Sequence, residues 1–80
     1  GAGQFRFAAE VDFDGTYFGR KLEGFVDERA PGLDEAGARS AFAGEFGERV
    51  ISLVAEEIDA IEAELRARYP ELAYVDLEAD

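Results

Sequence analysis

Gln4-Phe5-Arg6-Phe7-Ala8-Ala9-Glu10-Val11-Asp12-Phe13 decides how this chain folds. Phe5, Phe7, Ala9, Val11 and Phe13 fall on one side, and Arg6, Ala8, Glu10 and Asp12 on the other. A period of two held over this stretch predicts a strand with one buried face. Near the other end of the chain, Ala73, Val75 and Leu77 alternate with Tyr74, Asp76 and Glu78, which predicts a second strand.

Between the two the period changes. Asp14-Gly15 supplies a residue that tolerates positive φ and reads as a turn or bulge. Leu22, Phe25 and Val26 give residues 20–29 one short helical stripe, ended by Pro31-Gly32. Leu33 and Asp34 then read as a hydrophobic staple and N-cap for a second helix. Its inner face is expected at Ala38, Ala41, Phe42 and Phe46, with Glu35 and Arg39 as an i,i+4 pair. Gly37 and Gly44 weaken that helix, each by ~1 kcal/mol relative to Ala. The strongest helical pattern covers residues 48–69. Val50, Val54, Ile58, Ile61 and Leu65 form one stripe, widened by Ile51, Leu53 and Ala55. Glu62 and Arg66, and Glu64 and Arg68, stand in the favourable acid-first order, worth about 0.3–0.5 kcal/mol per pair. Pro70 ends the helix because it has no N–H to donate to the ladder.

Strand, helices, strand is an α+β order. A crossover this long lets the strands lie side by side and parallel, with the helices on one face of a small sheet. Two strands alone are a poor sheet, since stability usually needs three. The expectation is that another strand, or a second chain, completes it.

Composition narrows the function. Eighty residues suit one domain, expected to span 1–80. A chain of this size buries only ~60% of the surface its unfolded form exposes. With no Cys and no His, disulfides and thiolate or imidazole zinc sites are excluded, leaving an apolar core or self-association to supply stability. Seven Phe, three Tyr and 48% hydrophobic residues suffice for a core. Nineteen acids against eight bases give a net charge of −11, which repels nucleic acid and anionic lipid and attracts cations and basic partners. The longest apolar run, Val50-Ile51-Ser52-Leu53-Val54-Ala55, is far short of the ~20 residues of a membrane span. No signal-peptide pattern opens the chain.

Two segments carry a family resemblance. Phe5-Arg6-Phe7-Ala8-Ala9-Glu10-Val11-Asp12-Phe13-Asp14-Gly15 is one. The other is Ile58-Asp59-Ala60-Ile61-Glu62-Ala63-Glu64-Leu65, then Arg68-Tyr69-Pro70-Glu71, then Val75-Asp76-Leu77-Glu78. In this order they resemble the C-terminal cytosolic domain of the cation diffusion facilitator (cation efflux) family, in its mitochondrial, zinc-transporter-nine-like branch. The resemblance implies a ferredoxin- or metallochaperone-like domain of αββαβ order that dimerises. It also implies a six-helix membrane domain in the same protein and a place on the cytoplasmic side of its membrane. Since the chain opens at Gly1-Ala2-Gly3, the family domain's first helix and strand are expected to lie outside it. It also lacks the histidines that often bind metal in such domains.

If the strands are neighbours, Glu10, Asp12, Asp76 and Glu78 share the outer face, with Asp14 and Asp80 near its ends. Adjacent like charges cost stability unless compensated. A weakly bound divalent cation would do so through oxygen ligands, and Arg6 or Lys21 would serve equally; the plainer reading is a solvated acidic face. Asp12-x-Asp14-Gly15 lacks the remaining spacing of a calcium loop, and Gly1-x-Gly3 has no preceding strand to make it a phosphate loop. Catalysis finds little to use. General acid–base work would rest on carboxylates alone, and no base is placed to activate Ser40, Ser52, Thr16 or a tyrosine, so the chain reads as no enzyme. Phe5, Phe7, Phe13, Phe42 and Phe46 read as core. Tyr17, Phe18 and Tyr74 are the candidate contacts for a homodimer or other partner. The leading function, implied by the resemblance, is the regulatory and dimerising domain of a divalent-cation, zinc-type efflux transporter. The alternative is a free-standing acidic interaction module that mimics nucleic-acid charge.

Overall fold

The computed structural model describes residues 5–79, with the side chains of Phe5, Arg6, Phe7, Ala73, Tyr74, Glu78 and Ala79 outside that description. Element order is β1 (Phe5–Val11), α1 (Gly15–Lys21), α2 (Glu23–Arg29), a 3₁₀ turn (Ala30–Gly32), α3 (Ala38–Arg68) and β2 (Leu72–Ala79). It is a small α+β fold of two parallel strands and three helices. By contacts it divides into two compact units. One holds β1, β2 and the part of α3 from Val54 onward, and the other is Asp14–Leu53.

In the sheet unit, β1 and β2 pair in parallel, as the long crossover permits. The register runs from Phe5 against Leu72 to Val11 against Ala79, with Ala8 opposite Asp76, Ala9 opposite Leu77 and Glu10 opposite Glu78. Between the first two pairs the register slips, because Arg6 faces Tyr74 and leaves Ala73 as an extra residue. Alternation works as read from the sequence. Ala9, Val11, Phe13 and Val75 are half-buried and Leu77 is buried, whereas Ala8, Glu10, Asp12 and Asp76 are exposed. The Phe5 and Phe7 core positions lie outside the described side chains. Pro70 ends α3 as expected, and Leu72 N–H returns to the Tyr69 carbonyl at 2.9 Å to turn the chain into β2.

The helical unit departs from the sequence reading at its start. Asp14-Gly15 opens a helix instead of the expected turn or bulge. Asp14 is the N-cap of α1, its Oδ1 accepting from Thr16 N–H at 2.9 Å while its carbonyl accepts from Tyr17 N–H at 3.1 Å. A helix beginning at Gly15 puts Phe18, Leu22 and Phe25 at i, i+4, i+7, and these three are the buried side chains of the unit, at 3%, 5% and 8% exposure. Helix α1 breaks from α2 at Leu22, whose φ of −100° and ψ of 3° leave the helical region.

The long helix is also redrawn. Asp34 does not cap it. α3 begins at Ala38, and Gly37, at φ 78°, supplies the carbonyl that accepts the first helical bond from Ala41 N–H at 3.1 Å. Arg39 does not pair with Glu35. Its Nε donates to the Leu33 carbonyl at 3.0 Å and Nη2 lies 3.5 Å from Asp34, pinning the loop ahead of the helix. The two helices expected here are one of 31 residues, roughly 46 Å long. Phe42, Phe46, Val50 and Leu53 in the helical unit, and Val54, Ile58, Ile61 and Leu65 in the sheet unit, each keep the spacing of a 3.6-residue stripe, and no proline interrupts the helix. Both sets are only half-buried throughout. Ala55 is exposed and Ile51 is 65% exposed, so neither widens them. Of the two expected intrahelical pairs, Arg68 meets Glu64 at 2.8 Å, and Glu62 and Arg66 form no ion pair among the described residues.

Candidate functional site

Parallel pairing brings the acidic strand positions together in part. Ala8, Ala9, Glu10 and Asp76 line a shallow depression on the sheet. Register sets the Glu10 backbone directly against that of Glu78, whose side chain is outside the described set, as is the structure of Asp80. Asp12 is exposed but lies beyond the end of β1, and Asp14 is spent on its cap. Among the described residues no group of three or more acids is placed to hold a metal ion. What the described side chains present on this strand pair is the two exposed carboxylates of Glu10 and Asp76.

Tyr17, Phe18 and Tyr74, the candidate partner contacts, separate. Tyr17 is 45% exposed, with Lys21 Nζ 4.6 Å from its ring centroid. Phe18 is 3% exposed and packs edge-to-face on Tyr17 at 5.3 Å. It belongs to the core of the helical unit, because the helix that replaces the expected turn rotates it inward. Tyr74 lies on β2 with its side chain outside the described set.

A second constellation went unread in the sequence. Phe25 of α2 stacks on Phe42 of α3 at 5.4 Å with the rings 10° apart, and Phe42 meets Phe46 at 5.9 Å. Two guanidinium groups close over the same Phe25 ring, Arg49 at 4.2 Å and Arg29 at 5.0 Å from its centroid. Such contacts contribute about 0.5–1 kcal/mol each where exposed. Arg29 also bonds Glu45 at 2.7 Å. Spacing alone favours a different partner, since Glu45 and Arg49 stand in acid-first i,i+4 order. Tertiary packing gives Glu45 to α2 instead. The one sequence signal was the pair of arginines flanking an aromatic-rich segment, which has no meaning until α2 and α3 are known to touch.

Comparison with known proteins supplies what geometry does not. No protein-family model and no solved structure matches the chain. Among curated proteins, the mitochondrial proton-coupled zinc antiporter of Mus musculus is 37% identical over 88 aligned positions, which take in 98% of this chain and 15% of that protein. The antiporter of Xenopus laevis is 36% identical, again over 98% of this chain and 15% of its own length. A metal tolerance protein of Arabidopsis thaliana is 30% identical over 99% of this chain and 19% of its own length. The chain therefore spans about a sixth of the curated relatives it matches. Among the described residues no helix is long and apolar enough to cross a membrane. Over nearly its whole length this chain is homologous to a segment of the cation diffusion facilitator family, the group of the mitochondrial zinc antiporters and the plant metal tolerance proteins.

Proposed function

We propose that the chain is the C-terminal cytosolic domain of a divalent-cation, zinc-type efflux transporter, and that it regulates the transporter by joining two copies. The observation that carries this is the match of 98% of the chain to proton-coupled zinc antiporters of which it forms 15%. Ion movement itself belongs to membrane helices elsewhere in such a protein. Two structural features support a role in association. Among the described residues the sheet has two strands, so each keeps an unpaired edge, and an isolated pair is marginal in water. The α3 stripe is half-buried along its whole length. In this reading 1–80 is one ferredoxin-like domain whose sheet is completed by a further strand or a partner chain, with Tyr17 and Tyr74 at partner contacts. Sedimentation equilibrium on the 80-residue chain tests it. A dimer at micromolar concentration is expected; a folded monomer there refutes the dimerising role.

The Glu10, Asp12, Asp76 and Glu78 face serves in this proposal as a weak sensor of divalent cations. A cation shifts the domain's association only as far as it binds one arrangement better than the other. Calorimetry with Zn²⁺, Mn²⁺ and Mg²⁺ on the parent chain and on Asp12→Asn/Asp76→Asn is the measurement. Indistinguishable heats remove the sensor.

A further inference from the structure

We propose that Arg49 and Arg29, held on the Phe25 ring, form a receptor for a single carboxylate borne by a partner segment. Arg29, Gly44, Glu45, Glu48 and Arg49 line an open depression in the helical unit beside α2 and α3. Both guanidinium groups are positioned by the same buried ring, Arg49 at 4.2 Å and Arg29 at 5.0 Å. Each guanidinium carbon lies over the ring, and the N–H donors of a guanidinium lie in its own plane, the fork that takes a carboxylate through two parallel bonds. Arg29 spends part of its fork on Glu45. No described carboxylate pairs with Arg49, which is exposed. Because the ring has already restricted both side chains, little rotamer freedom is lost on binding.

Charge selects the ligand. The depression holds two cations and two carboxylates, so it is locally neutral inside a chain of net charge −11. A monoanion fits such a site by replacing water on one fork. A phosphate dianion brings twice the charge against Glu45 and Glu48 and gains no further cation. The rim at Gly44 is open, since even an added Cβ there would meet nothing within 4 Å. The ligand is thus a lone Asp, Glu or chain-terminal carboxylate in otherwise uncharged surroundings.

The test follows the Arg29 and Arg49 Nε–H resonances of the 80-residue chain by heteronuclear NMR. Probes are a capped, otherwise neutral peptide with one glutamate, its glutamine counterpart, and inorganic phosphate. Saturable shifts at Arg49 with the glutamate peptide alone are expected. Arg49→Lys retains charge and a stacked stem but loses the fork, so about tenfold weaker binding is expected. Shifts at Arg49 that depend on protein concentration without any peptide would give this surface to self-association instead of a partner segment, and overturn the proposal. Equal response to glutamine or phosphate, unchanged affinity in Arg49→Lys, or no saturable shift at Arg49 with the glutamate peptide likewise overturns it. The peptide titration reads Arg49 directly, whereas the dimer measurement above reads association alone.

Discussion

Three glycines around the start of α3 should respond to alanine with opposite signs. Gly37 sits at φ 78°, in the left-handed region where an L side chain crowds its own backbone, at a cost of ~1–2 kcal/mol. Nothing lies within 4 Å of a Cβ built there, so the penalty for Gly37→Ala is torsional and no packing gain offsets it. Gly44 and Gly47 lie inside α3, and a Cβ at either position also meets nothing within 4 Å. Alanine there recovers the helix propensity that glycine forfeits, ~1 kcal/mol per site. The two stand at i,i+3 on one helix, but a methyl at either meets nothing within 4 Å, so the two propensity gains should roughly add. On a domain this small each kcal/mol moves Tm by about 4–8 °C, so Gly44→Ala/Gly47→Ala should melt roughly 8–16 °C higher.

Urea unfolding followed by far-ultraviolet circular dichroism reads all of these on one scale. Gly37→Asn is the control. Asparagine tolerates positive φ and is a favoured N-cap, so it should lie much nearer the parent than Gly37→Ala does. Stabilisation by Gly37→Ala would mean that α3 starts upstream, at the Asp34 cap that the sequence suggested. Destabilisation by Gly44→Ala or Gly47→Ala would mean that close packing covers the outer face of α3 in solution.

Asp14→Ala should cost about 1 kcal/mol through loss of the Thr16 N–H bond, while Asp14→Asn keeps an acceptor and costs a few tenths; equal losses would give the effect to charge instead of capping. Phe25→Ala removes the ring on which Phe42, Arg29 and Arg49 rest and should cost ~3–5 kcal/mol by denaturant unfolding. A loss below ~1 kcal/mol would show that this stack is not the core of the helical unit. Leu77→Ala should cost ~2–5 kcal/mol in the same assay, because Leu77 is the buried side chain of the described sheet positions.

Legibility in the sequence followed the range of the interaction that fixes each feature. The strands were readable because a two-residue period forces one face inward over any length of chain, and Ala9, Val11 and Leu77 obey it. The Pro70 stop and the Glu64–Arg68 pair are local and hold as read. What failed were choices between two local possibilities that burial and contacts a few residues further along the chain decide. Asp14 can open a turn or cap a helix, and burial of Phe18 with Leu22 and Phe25 selects the cap. Asp34 can cap α3 or hold Arg39, and the Arg39 bond to the Leu33 carbonyl selects the second. Of the four acidic positions, the strand period places Glu10 and Asp76 as exposed, the Glu78 side chain lies outside the described set, and Asp12 falls past the strand end where periodicity no longer places it. The Arg29–Phe25–Arg49 cluster was not legible, since its members come from two helices whose contact no local pattern encodes.

Net charge and apolar exposure pull association in opposite directions, and salt separates them. Two copies, each at −11, repel at long range, with the repulsion screened over ~8 Å at physiological ionic strength. Burial of the half-exposed α3 stripe or of a free strand edge is attractive and barely weakened by salt. If apolar burial holds the proposed dimer, raising sodium chloride should strengthen it by relieving repulsion, and sulfate should strengthen it further by favouring burial. A dimer held by complementary charge, basic residues of one copy against the acidic strands of the other, would loosen over the same range. Sedimentation equilibrium at several salt concentrations gives the sign directly. Dissociation as salt rises would move the interface from the apolar stripe to the charged surface, and with it the physical basis of the association argued here.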